Sequence, residues 1–60
     1  MNAVLIVIML IGGVPEGSPI KLQSTTPDCR DEINTVNHTN AVFRNHDSDI
    51  RYKILECKIY

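Results

Sequence analysis

No charge of one sign dominates this chain: six Lys and Arg stand against seven Asp and Glu, for a net charge of −1. A near-neutral balance removes the electrostatic case for nucleic acid or for an anionic membrane surface. No C-x-x-C pair, no phosphate-cradling loop and no evident acid–base pair occurs, so nothing points to an enzyme or to a bound cofactor. Neither an internal repeat nor a linker divides the sequence. With 60 residues it has room for one small domain. A chain of this length buries only about 60% of its unfolded surface, so its fold is marginal without a staple.

What is present is uneven. Much of the apolar content sits in the opening run "AVLIVIMLI", residues 3–11. As a membrane-spanning helix the run is too short: even extended through Val14 it falls below the roughly 20 residues a bilayer needs, and Pro15 closes it. As a secretory signal it has a suitable apolar core. It lacks a Lys or Arg in front, however, and Pro15 and Pro19 interrupt a cleavage region with no A-x-A-like triplet. As a strand it has the β-branched, apolar character of one covered on most of both faces. The strand reading is preferred on stability: removing residues 1–17 would leave about 40 residues, near the lower limit for a core without extra staples. Signal and membrane-associated readings of residues 1–17, the latter through residues 3–14, stay open as alternatives.

The turn-rich "GGVPEGSP" follows, and then "PIKLQS", where Ile20 and Leu22 alternate with Lys21 and Gln23 in the period of a half-buried strand. The two runs read as a loose hairpin with a loop of about six or seven residues. In "STTPDCRDEINTV", Thr26 is placed to cap a helix, Pro27 to occupy its first position, and Asp28, Asp31 and Glu32 to oppose its positive end. Cys29, Ile33 and Val36 then share one helical face. "NHTN" weakens the pattern, yet Phe43 returns to the same face. The preferred reading carries the helix to about Arg44; a stop near Asn37 with "NAVFR" as a strand is the alternative. "NHDSD" is turn chemistry. In the tail "IRYKILECKIY", Ile50, Tyr52 and Ile54 lie on one face and Leu55, Cys57 and Ile59 on the other, which implies a bulge or a doubly covered strand. The order is β-β-α-β: an α+β fold, a small sheet with one helix across it.

A helix packed across that sheet brings Cys29 and Cys57 within reach of one another. Their disulfide would close a loop of about 28 residues, worth about 3–4 kcal/mol in the chain-entropy model, and it requires an oxidising compartment. Two reduced, structural thiols are the alternative. Other chemistries find less support. Cys29 at a helix start has its thiolate favoured, but nothing fixes His38 or His46 beside it as a base. Cys29, His38, His46 and Cys57 are zinc-ligand types without the short paired spacings of structural zinc sites. Asp47 and Asp49 read as a turn, the rest of a calcium loop being absent. Asn37-His38-Thr39 matches a glycosylation triplet. The local charges, acidic in the middle and basic at Arg51, Lys53 and Lys58, read as solvated faces.

The layout of "NAVLIVIMLIGG", "PIKLQSTTPDCRDEI" and "YKILECKIY" resembles that of short phage- and prophage-encoded bacterial proteins of unknown function. These pass from an apolar segment through a strand to a cysteine-bearing helix start and end in a strand with a second cysteine. The Asn-rich "NTVNHTNAVFRN" departs from the Ala- and Glu-rich helices of that group, and no functional residue carries over. The expectation is a small non-enzymatic binding protein, exported or envelope-exposed. It would meet a protein partner or a second copy of itself, in the periplasm, outside the cell or at a membrane.

Overall fold

The computed structural model describes residues 3–60. Strands β1 (Ala3–Ile11) and β2 (Val14–Ser24) precede helix α1 (Arg30–Asn45), and strand β3 (Ile50–Ile59) closes the chain. The sheet order is β2-β1-β3, with both neighbours antiparallel to β1. The fold is therefore α+β with one helix packed across a three-stranded sheet. The apolar opening run is its central strand, and β2 and β3 pair with β1 rather than with each other. No helix among the described residues is long and apolar enough to cross a membrane.

The β1–β2 hairpin is tighter than the turn-rich sequence implies. Ile11 pairs with Val14, leaving a two-residue turn of Gly12 and Gly13, with φ of 60° and 83°. Two successive positive φ angles form the hairpin turn whose twist matches its strands, and adjacent glycines adopt them without a Cβ penalty. The residues expected to form a long loop instead extend β2. Their irregularity survives as a bulge, where Val7 faces Ile20 but Met9 faces Glu16.

The helix also begins later than its sequence signals. Cys29, not Thr26, is the N-cap residue, with φ 61°, and Ile33 N–H donates to its carbonyl at 2.9 Å. Thr26 is held in a local turn instead: its N–H donates to Ser24 Oγ at 3.1 Å, and its carbonyl oxygen lies 2.7 Å from the same hydroxyl. Of the free amides at the helix start, that of Arg30 donates to Asp28 Oδ1 at 3.1 Å. Helix α1 does run past the Asn-rich stretch to Asn45. Its end is closed by Asp47 at φ 56°, with Ser48 N–H donating to Phe43 O at 2.9 Å and Asp47 N–H to Arg44 O at 3.1 Å. This pair of bonds satisfies the last carbonyls in the Schellman pattern, with Asp where Gly is commonest.

The core is one layer between sheet and helix. Ala3, Leu5 and Val7 of β1 are buried beneath Cys29 and Val36, with Leu22, Ile33, Tyr52, Ile54 and Cys57 packed around them. Covering on both faces was expected for so apolar a strand. Only the inner face is covered; Val4, Ile6, Ile8 and Leu10 alternate onto the other face and stay half-buried.

A cleft between helix and sheet

Three contacts draw α1 toward β3. Cys29 and Cys57 form a disulfide with Cα atoms 6.2 Å apart, joining the helix start to the end of β3. Midway along, the Asn40 side chain reads the backbone of Tyr52 with both ends of its amide. Nδ2 donates to Tyr52 O at 2.9 Å, and Oδ1 accepts from Tyr52 N–H at 2.8 Å. The rings of Phe43 and Tyr52 lie 6.1 Å apart at 37°.

The Cys29–Cys57 pairing depends on an extra residue in β3. Ile6 faces Glu56 whereas Val7 faces Ile54, so Leu55 has no partner of its own. This bulge, one of the two readings of the phase change at Ile54 and Leu55, returns Cys57 to the helix side with Tyr52 and Ile54, and β3 is an edge strand rather than a doubly covered one. A disulfide persists in an oxidising environment, which places this chain outside the reducing cytosol of ordinary cells.

At the other end of the helix start, Glu32 bridges back to the β2 end. Its carboxylate accepts from Thr25 N–H at 3.0 Å and from Ser24 Oγ at 2.8 Å. The Thr25 amide first, then the Ser24 hydroxyl, hold the Glu32 pKa below the usual carboxylate range.

With the helix drawn to β3, its β2 side stands open. A cleft of about 310 Å³ lies there, lined by Val7, Ile20 and Leu22 from the sheet, by Thr35, Val36 and Thr39 from the helix, and by Tyr52. Ile20 is 42% exposed, an unusual state for an isoleucine on the core side of a sheet. The Thr35 hydroxyl is committed to its own helix, donating to Asp31 O at 2.9 Å. No carboxylate, amine or imidazole lines the cleft. What it offers is apolar contact with hydroxyls beside it, at the small end of the range for ligand sites.

Of the residues singled out from sequence, the structure brings together Cys29 and Cys57, and their bond leaves neither as a nucleophile or metal ligand. His38 and His46 are exposed and lie outside the cleft. Among the described residues, no three His, Cys, Asp or Glu side chains converge as a metal site. Asn37 is exposed on α1, and Asp47 and Asp49 lie in the α1–β3 turn. Asn40 went unread in the sequence because "NHTN" registers only as a run of weak helix formers. Its one available cue was position: it falls on the face defined by Cys29, Ile33, Val36 and Phe43, where an amide needs a partner.

These features define a class: a small α+β protein clamped by one disulfide, with an apolar cleft on the unclamped side. No protein-family model, curated protein or solved structure matches the chain.

Proposed function

We propose that this is a non-enzymatic binding protein, exported or envelope-exposed, that takes an apolar side chain of a protein partner into the cleft between α1 and β2. The observation that carries this reading is the cleft's lining: Val7, Ile20, Leu22 and Val36 with the Tyr52 ring and the Thr35 and Thr39 hydroxyls beside them, and no carboxylate, amine or imidazole. Such a lining binds by excluded water and shape, and the partly exposed Ile20 is apolar area available to a partner. The Cys29–Cys57 disulfide supports the exported setting, since such a bond is kept where thiols are oxidised.

The test is capture by immobilised, oxidised protein from host envelope and extracellular fractions, run beside an Ile20→Lys variant. A defined partner that the wild type holds and the variant loses supports the reading. Capture unaffected by the variant, or no capture across the fractions, overturns it.

A further inference from the structure

The side of the sheet away from the helix carries a charge pattern that the whole-chain sum conceals. Val4, Ile6, Ile8 and Leu10 run down its middle on β1. Ile6 faces Lys21 on β2, and on β3 the same four residues face Lys58, Glu56, Lys53 and Arg51 in turn. Four of the chain's six cations thus border one aliphatic stripe, accompanied by one of its seven acids. The remaining acids belong to the helix, its flanking turns and the helix-side phase of β2. The Leu55 bulge that turns Cys57 inward also brings Lys58 into phase with Lys53 and Arg51. The molecule is a slab, 37 × 22 × 11 Å over its Cα atoms, and this open face is one of its two broad sides.

We propose that the open face lies flat against an anionic phospholipid surface, with the aliphatic stripe at the headgroup boundary and the cations among the phosphates. Three features of the face favour a bilayer over another macromolecule. Three of the four cations are lysines, flexible point charges suited to headgroups in a fluid layer; Arg51 spends its Nη1 on the carbonyls of Ser48 and Ile50, at 2.8 and 2.6 Å. The stripe is aliphatic throughout, with no ring on which a nucleobase could stack. The cleft of the proposed partner site opens on the other face, so the flat side offers relief for no particular side chain. This mode differs from insertion of residues 3–14 as a membrane segment, because β1 keeps its pairing with both neighbours.

Cosedimentation of the oxidised protein with large vesicles tests the proposal, comparing pure phosphatidylcholine with phosphatidylcholine containing about one-third phosphatidylglycerol. Binding is expected only to the anionic vesicles and should weaken steeply with salt. The double variant Lys53→Glu/Lys58→Glu should partition at least about tenfold less, since each lysine near an anionic surface contributes a several-fold factor. Ile6→Thr/Ile8→Thr, which keeps β-branching while removing apolar character, should also lose several-fold. Ile20→Lys, which alters the cleft alone, should not reduce binding, so failure here is distinguishable from failure of the partner-binding reading. Absence of binding to anionic vesicles, or equal binding to neutral ones, overturns the proposal. So does an Ile6/Ile8 variant that binds like wild type while poly-glutamate or a single-stranded oligonucleotide displaces the vesicles, because the face would then be a general polyanion surface. Circular dichroism and an intact disulfide in each variant establish that the fold is retained.

Discussion

Asn40 does at the edge of the sheet what a fourth strand would do. Its amide presents one donor and one acceptor to the N–H and C=O of Tyr52, the two groups a neighbouring strand would otherwise take. Replacing it with Ala leaves both groups without their partner in a half-buried position. The expected cost is about 1–3 kcal/mol, together with faster amide exchange at Tyr52. Asn40→Asp keeps the acceptor and loses the donor, so its loss should be similar in sign; chemical denaturation of the three proteins checks the order, and equal midpoints would contradict it. Glu32 makes a second prediction of sign. Its folded pKa is lowered, so its contribution is present above the ordinary carboxylate pKa and fades as pH falls through the folded value. Wild type should therefore lose stability on acidification below about pH 4 more steeply than Glu32→Gln does, as read by thermal melts across that range.

At the scale of elements, β3 depends on one residue out of step. Deleting Leu55 removes the extra residue and restores simple alternation, leaving Ile54 and Cys57 on the helix side with Glu56 between them on the open face. The deletion protein should therefore keep the Cys29–Cys57 bond, read as a mass unchanged by iodoacetamide treatment without reductant. Two alkylatable thiols in that protein would show that the bulge itself, and not the phase of Cys57, sets the pairing. The order of elements, the helix face and this bulge were all legible in sequence, because each rests on a period: alternation in "PIKLQS" and the tail, and steps of three and four from Cys29 to Val36. The hairpin turn and the helix cap were not, because they turn on competition between local options. Gly12-Gly13 offers a two-residue turn within a stretch that contains two later prolines and another glycine. Thr26 is a good cap residue, but Ser24 claims its backbone first, while the disulfide fixes where Cys29 must point. The cleft was not legible either, since no periodicity records how far a helix leans to one side of its sheet.

For the molecule as a whole, the helix is tied to β3 by the disulfide, Asn40 and Phe43 and to the end of β2 by Glu32, and the covalent part of this attachment is one bond. A domain of 60 residues has a stability of about 3–9 kcal/mol at typical values per residue. The disulfide spans a separation of 28 residues, and the chain-entropy model assigns such a loop about 3–4 kcal/mol. Removing it takes a large share of the total. Cys29→Ala/Cys57→Ala should therefore unfold at a much lower denaturant concentration than the oxidised wild type, with part of the population unfolded at physiological temperature. Cys29 also sits at φ 61°, a conformation that costs a residue with a Cβ about 1 kcal/mol and costs Gly almost nothing. The double variant Cys29→Gly/Cys57→Ala should regain part of the loss, up to about 1 kcal/mol over the Ala pair, although it has the smaller side chain at a buried site. If cavity formation governed the site instead, the Gly variant would be the weaker of the two. Equilibrium urea unfolding of both variants decides between backbone strain and side-chain volume at the point where the helix is tied down.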